Sequence, residues 1–298
     1  MEATAGTLIV PQQVYDAVVA TQGALGERLS GVDRHKLATD VLSEAKAHQQ
    51  AATVQRYALL QGARVLEVGA GLASNLVVWS KDYGADAYGI EPDGPGFDAS
   101  YKIGCALMEA NGLDPKRIVN SVGEKQPFAD SSFDIVFSAN VLEHTDDPAT
   151  VLHESLRVLR PGGVLQFVFP NYWSYFDGHY GVFHPPILWR GFFPWYVKWF
   201  WRRDPTFART LRTELNPRWV KRHLVLLAKD YRFDVLGLGQ ELFLERITSL
   251  DFAAWATLGR VKGALDWIGN RTVRRALGKL VVAMRGWTPI VITLRKKA

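Results

Sequence analysis

The stretch Arg64-Val65-Leu66-Glu67-Val68-Gly69-Ala70-Gly71-Leu72-Ala73-Ser74 constrains the fold more than any other part of the chain. Val65, Leu66 and Val68 make an apolar run of the kind that forms a buried strand, and it ends at two glycines one residue apart. Such glycines permit a tight turn and a close backbone approach. A side chain at Gly69 or Gly71 would occupy space that a ligand needs. Glu91 follows Glu67 by 24 residues, at the end of a second apolar stretch, Ala87-Tyr88-Gly89-Ile90. A glycine turn followed at that distance by a carboxylate is how a doubly wound α/β fold holds a nucleoside. The glycines lie beside the polar chain and the acid meets the ribose hydroxyls.

The surrounding pattern agrees with that fold. Strands are expected near 64–68, 86–90, 117–120, 133–138 and 163–169, and helices near 73–82, 98–111 and 147–159. This alternation implies a parallel sheet with helices on both faces. Pro161-Gly162-Gly163 reads as a tight turn feeding the fifth strand. Residues 11–60 have helical apolar spacing, with a break marked by Gly23, Gly26 and Gly31 and a cap at Asp33. Two more strands are expected at 231–238 and 288–296, with a helical insert between them. The division is therefore an N-terminal helical cap (1–60), a nucleoside-binding core (61–171), an aromatic and basic insertion (172–230), and C-terminal core strands (231–298) carrying the insertion 240–287.

Composition narrows the function classes. With Cys105 as its one cysteine, the chain can form neither an intrachain disulfide nor a cysteine metal cluster. No secretory signal and no membrane-spanning run are read, so a cytoplasmic location is expected. The net charge of +5 conceals a division: residues 1–184 carry net −9, residues 185–225 net +7 and residues 251–298 net +8. A basic half beside an acidic nucleoside-binding half suits either an anionic partner or a solvated charged face.

Three segments together resemble the class I S-adenosylmethionine-dependent methyltransferases, in particular the broad group that includes ubiquinone-biosynthesis enzymes. The first is Val65 to Gly71. The second is Pro127-Phe128-Ala129-Asp130-Ser131-Ser132-Phe133-Asp134-Ile135-Val136. The third comprises Val141-Leu142-Glu143-His144, Asp147-Pro148, and Arg157-Val158-Leu159-Arg160-Pro161-Gly162-Gly163. The resemblance covers residues 60–171 and implies a Rossmann-like, mostly parallel seven-stranded sheet with S-adenosylmethionine as cofactor. It places Gly69, Ala70 and Gly71 beside the methionine part and Glu67 near its amino group. Glu91, with Pro92 next to it, would meet the ribose, and Val122, Gly123 and Glu124 would lie by the adenine. Asn140 would touch the methionine end through its backbone. A nicotinamide or flavin dinucleotide is the rival cofactor, but that fingerprint wants a glycine or alanine where Ser74 stands.

Methyl transfer asks the protein to align a nucleophile with the methyl group and to exclude water. An oxygen nucleophile also needs a base near its proton, and histidine suits that at neutral pH. The candidates are His144, His153, His179 and His184. His179, in Asp177-Gly178-His179-Tyr180-Gly181 just past the fifth strand, is the first choice. His144 either joins it or shapes its own loop, and His153 reads as structural. Related ubiquinone-biosynthesis enzymes have a further Glu three residues before the Glu-His pair and can hold a divalent metal there; here that position is Asn140, so no metal is expected. The Asn/Asp-Pro-Pro-aromatic motif of nucleobase and glutamine amine methyltransferases is missing, since Ser138-Ala139-Asn140-Val141 stands in its place. A hydroxyl acceptor is therefore expected, with a carbon acceptor or a catalytically silent binding protein as alternatives.

Residues 184–203 combine Trp, Tyr and Phe with Arg190, Lys198, Arg202 and Arg203. Residues 271–285 place Val273, Leu277, Leu280, Val281 and Met284 on one helical face and Arg271, Arg274, Arg275, Lys279 and Arg285 on the remainder. An apolar stripe normally faces its own core, so both segments are expected to form a lid over a bulky, apolar or lipid-linked acceptor. Such a lid can also touch an anionic membrane surface. Nucleic acid is disfavoured, as no RNA-binding module is present. The sequence leaves the oligomeric state open.

Overall fold

A computed structural model describes residues 8–29, 32–94, 99–187, 189, 191–249 and 269–298. Gly31, Arg190 and the middle of the 240–287 insertion, all named above, lie outside the described residues.

Four short helices open the chain: α1 (Gln12–Thr21), α2 (Gly23–Arg28), α3 (Arg34–Val41) and α4 (Glu44–Gln55). The expected cap at Asp33 is present, its carboxylate accepting from the His35 amide. The expected break at Gly23 is instead the first residue of α2. The second long helix expected from 33 onward is divided in two, because Ser43 takes an extended conformation before α4.

The core follows as β1 (Arg64–Val68), α5 (Ser74–Tyr83), β2 (Asp86–Ile90), α6 (Ser100–Ala110), β3 (Ile118–Val119), β4 (Phe133–Ala139), α7 (Pro148–Val158) and β5 (Leu159–Phe169). Next come a small hairpin, β6 (Phe176–Asp177) and β7 (Val182–Phe183), and the helices α8 (Phe192–Trp199), α9 (Thr206–Thr210) and α10 (Pro217–Leu227). The chain ends with β8 (Phe233–Gly237), α11 (Gln240–Ser249), α12 (Arg271–Ala283) and β9 (Ile290–Lys296). The large sheet has seven strands in the order β3-β2-β1-β4-β5-β9-β8. The first five are parallel, while β9 runs antiparallel to both β5 and β8. Strand order reverses at β1 and β4, which opens a crevice above their carboxyl ends.

Side-chain alternation divides the core between the two faces. Leu66, Val68 and Val136 join Leu152 and Leu156 of α7 and the buried residues of segment 172–227. Val65, Ile135 and Phe137 join α4, α5 and α6. Trp79 on α5 is fully buried, packs edge-on against Phe137 and donates to the Ala47 carbonyl at 3.0 Å. That indole locks α4 over the crevice. The Pro161-Gly162-Gly163 turn lies within β5 rather than ahead of it. It coincides with a register shift between Phe133 and Ile135, and a Cβ at Gly163 would stand 2.8 Å from the Asp134 carbonyl.

The C-terminal helices depart most from expectation. α12 packs on α11 through Gly278, where a Cβ would come within 2.9 Å of Leu244. Arg274, expected at the surface, is buried and donates to the Thr248 carbonyl at 3.1 Å. Val273, Leu277, Leu280 and Met284, expected to pack inward, are exposed instead. Among the described residues no helix is long and apolar enough to cross a membrane.

Candidate active site

The turn after β1 makes a cleft of about 250 Å³, lined by Glu67, Gly69, Ala70 and Gly71, by Asn75 of α5, and by Lys46 and Gln50 of α4. Gly69, Gly71 and Ala73 all have positive φ, so the chain turns sharply out of the sheet into α5. The two glycines serve different ends. A Cβ at Gly69 would lie 2.3 Å from Val141 Cγ2, so that residue is small to admit a protein side chain, not a ligand as expected. A Cβ at Gly71 would meet nothing within 4 Å and would project into open space.

Two carboxylates flank this turn. Glu67 is buried; its Oε1 accepts from Asn75 Nδ2 at 2.6 Å, and Asn75 Nδ2 also reaches Gln50 Oε1 at 2.7 Å. Glu67 Oε2 is buried without a hydrogen-bond partner. Burial pushes the Glu67 carboxyl up to about 8, partly offset by Asn75. Glu91, at the end of β2, accepts from the Gly71 amide at 2.9 Å, and burial raises its carboxyl to about 7. A buried oxygen without a donor is costly. A cationic amino group beside Glu67 would satisfy it, and Glu91 retains acceptor capacity for hydroxyl donors. The cleft thus fits an amino acid linked to a nucleoside.

A second cavity, of about 410 Å³, adjoins the first. Lys46 and Gln50 line both, and Asn140, Val168, Phe176, Gly178, His179 and Leu242 line the second alone. Asn140 stands at positive φ (58°) after β4, its amide donating to the Val168 carbonyl at 2.8 Å. Asn140, expected at the methionine end of the cofactor, thus lines the second cavity, while Ala139 just before it lines the first.

His179 lies in the turn of the β6–β7 hairpin. Buried Asn171 anchors the root of that hairpin, its Nδ2 donating to the Arg285 and Trp287 carbonyls at 2.8 and 2.7 Å. Within the turn, Asp177 Oδ1 accepts from the Tyr180 amide at 2.9 Å, and Asp177 Oδ2 stands 3.1 Å from His179 Nδ1. Burial opposes an ionised Asp177, yet His179 and the Tyr180 amide hold its carboxyl below the usual range. The other imidazole nitrogen, His179 Nε2, lies 3.2 Å from His144 Nε2. Both Nε2 atoms are 3.9 Å from Glu143 Oε1. Glu143 is fully buried with neither carboxylate oxygen hydrogen-bonded to another residue, and burial raises it to about 7 against the pull of His179. Phe207 closes the cluster, 5.7 Å from the His144 ring and 5.5 Å from His179.

The structure gathers Glu67, Gly69, Ala70 and Gly71 around one cleft, ties Glu91 to it through the Gly71 amide, and sets His144 and His179 beside the next. Val122 is exposed, Gly123 packs on Val151 and Val68, and Pro92 lies just beyond Glu91. Glu124 Oε1 accepts from the Asp146 and Asp147 amides, tying its loop to the start of α7. His153 is against Tyr231, with its ring 4.9 Å from the tyrosine ring, and does not line either cavity. His184 is buried against Phe193, with Nδ1 2.8 Å from the Pro185 carbonyl. Sequence reasoning missed Asp177, Lys46, Gln50 and Asn75. Asp177 stands two residues before His179 and was open to detection. Lys46 and Gln50, four apart on a helix, carry no local signal.

The sheet order, the glycine turn and the paired carboxylates agree with a class I S-adenosylmethionine-dependent methyltransferase domain over residues 66–167, S-adenosylmethionine being the cofactor of that domain. The comparisons with known proteins agree. Residues 66–167 match the family model described as a methyltransferase domain. A Mycobacterium sp. (strain JLS) protein named as an uncharacterized methyltransferase is 34% identical over 118 residues, 40% of this chain and 43% of that one. An uncharacterized Mycobacterium tuberculosis protein is 31% identical over 125 residues, 41% of this chain and 40% of that one. The chain thus matches about two fifths of the length of these relatives. Among solved structures, a Haemonchus contortus phosphoethanolamine N-methyltransferase 2 bound to S-adenosylhomocysteine superposes with a TM-score of 0.50 at 15% identity, covering 97% of this chain and 61% of that one. A Galdieria sulphuraria protein provisionally assigned as a sarcosine dimethylglycine methyltransferase gives 0.50 at 16% identity, covering 99% and 92%. At those identities the likeness is one of fold.

Proposed function

We propose that the protein transfers the methyl group of S-adenosylmethionine to a hydroxyl oxygen of a bulky, apolar or lipid-linked small molecule. One observation carries this reading: an Asp177–His179–His144–Glu143 cluster stands at the edge of a largely apolar cavity next to the cofactor cleft. The bound cofactor supplies a methyl group on an activated sulfonium. The protein positions the acceptor in line, keeps water out, and provides for the hydroxyl proton at this cluster. Asp177 supports that task by orienting the His179 ring through Nδ1, which directs Nε2 away from the hairpin.

A membrane is the natural source of a lipid-linked acceptor, and the surface favours such a contact. Trp195, Trp199 and Phe200 project into solvent beside Lys198 and Arg202, and α12 presents its apolar stripe outward.

The test is formation of S-adenosylhomocysteine with pooled lipid and quinol extracts, followed by mass spectrometry of the product. His179→Ala is expected to slow turnover by about 10²–10⁴-fold, the usual worth of a positioned proton acceptor, while cofactor affinity stays at the wild-type value. Wild-type turnover in that variant, or a methylated amine or carbon as the product, would overturn the hydroxyl assignment.

A further inference from the structure

We infer that Glu143, His144 and His179 form a binding site for a zinc-type divalent ion at the edge of the acceptor cavity. The inference deepens the proposed hydroxyl methylation and rests on it only for the ion's role, not for the ion's binding.

The donors come from two separate places in the fold. Glu143 and His144 sit in the short 3-10 turn after β4 (Leu142–His144), and His179 comes from the β6–β7 hairpin. Their ligand atoms converge within 4.8 Å of one another. Zinc bonds to nitrogen and carboxylate oxygen are roughly 2.0–2.2 Å, so donors around a four-coordinate ion stand roughly 3.3–3.6 Å apart. The two Nε2 atoms, at 3.2 Å, stand just inside that spacing. The Glu143 oxygen, 3.9 Å from each, would close by a few tenths of an ångström.

Two further observations point to a cation. Glu143 is wholly buried with neither oxygen accepting a hydrogen bond from any other residue, an arrangement a protein interior rarely tolerates without a cation to meet it. Asp177 stands at His179 Nδ1, the carboxylate–histidine relation that fixes the tautomer of a metal-bound imidazole. Three protein donors leave a fourth position open, as in catalytic zinc sites, and His179 also lines the acceptor cavity. Two imidazoles and one carboxylate suit zinc or cobalt(II) better than magnesium or calcium, which prefer oxygen. An acceptor hydroxyl at the open position would lose its proton more readily, and His179 would serve the transfer as a ligand.

The experiment uses tag-free full-length protein, stripped with chelator and dialysed. It is titrated with Zn²⁺ by calorimetry and with Co²⁺ by visible absorption. One equivalent of Zn²⁺ and the intense visible band of low-coordinate Co²⁺ are expected. His144→Ala and His179→Ala should each weaken Zn²⁺ at least tenfold. Asp177→Asn, which leaves the donors in place, should weaken it about 10–100-fold. S-adenosylmethionine affinity in every variant should match wild type, which reports that the fold is intact. Wild-type protein that binds S-adenosylmethionine but takes up no Zn²⁺ would overturn the site, as would uptake unchanged by all three substitutions. One equivalent of Zn²⁺ with no methylated hydroxyl from any extract would uphold the site and overturn the hydroxyl reading. Hydroxyl methylation by protein that takes up no Zn²⁺ would do the reverse.

Discussion

At the scale of single residues, the two glycines of the turn are separable by experiment. Gly69→Ala drives a methyl group into Val141 at 2.3 Å and imposes a side chain on a φ of 74°. Overpacking and left-handed strain together predict a loss of about 2–5 kcal/mol in stability. Gly71→Ala meets open space, so only the backbone term applies, about 1–2 kcal/mol. Its larger effect should be on cofactor affinity, because the methyl enters the cleft. Denaturant unfolding and calorimetry distinguish the two, and equal stability losses would refute the distinction. Glu67 adds a pH dependence. Its carboxyl is raised from 4.5 to about 8 by burial, so between these values the free folded protein holds a proton that the unfolded chain has lost. Stability contributed by this group is present at low pH and declines as pH rises through that window. A cationic amino group beside Glu67 favours the ionised form. Cofactor binding should then release a proton and tighten between about pH 6 and pH 8. Calorimetry in two buffers of different ionisation enthalpy measures the release. Glu67→Gln should abolish it, and affinity independent of pH in the wild type would contradict the argument.

At the scale of elements, the orientation of α12 is the sharpest test. If Leu280 faced a core, a charge there would cost several kcal/mol. Because it is exposed, Leu280→Glu should change stability by less than about 0.5 kcal/mol in thermal or denaturant unfolding. A large loss would restore the inward packing that periodicity alone suggests. This helix shows why part of the fold was not legible. Its apolar spacing is genuine, but spacing fixes only which residues share a face, not which way that face turns. The inward face is chosen by Gly278, where Leu244 comes close, and by Arg274, whose guanidinium finds the Thr248 carbonyl. Strands were far more legible. β1 and β2 occupy the residues their apolar runs indicate, because a buried parallel strand leaves a continuous local signature. The site divides in the same way. The glycine turn and Glu91 are encoded within 28 consecutive residues, 64–91, and could be read directly. The meeting of His179 with His144 and Glu143 spans 35 residues. It depends on the hairpin, on Asn171 at its root and on Phe207 packed over it, none of which announces the contact locally.

At the scale of the whole molecule, the acidic and basic halves of the sequence correspond to different parts of the fold. Residues 1–184, net −9, include the N-terminal helices, the first five strands of the sheet with their helices, and the hairpin. The net +7 of residues 185–225 accompanies α8 and α9 and most of α10, where Trp195, Trp199 and Phe200 are 56, 64 and 66% exposed. Exposed rings are expensive in water unless something covers them, and the membrane contact proposed above would cover these beside Lys198 and Arg202 with an anionic bilayer. Two physical terms then make distinct predictions. Basic residues near such a surface contribute about 1 kcal/mol each at low salt, and this fades as the screening length falls below about 10 Å. Inserted aromatic and aliphatic side chains contribute in proportion to buried area, with little salt dependence. In flotation assays the protein should rise with vesicles rich in phosphatidylserine or phosphatidylglycerol and stay down with phosphatidylcholine alone. Added salt should remove most, but not all, of the bound fraction. Trp199→Ser combined with Leu280→Glu should remove the salt-resistant remainder while leaving cofactor affinity unchanged. Protein that remains at the bottom with anionic vesicles at low salt would rule out the contact.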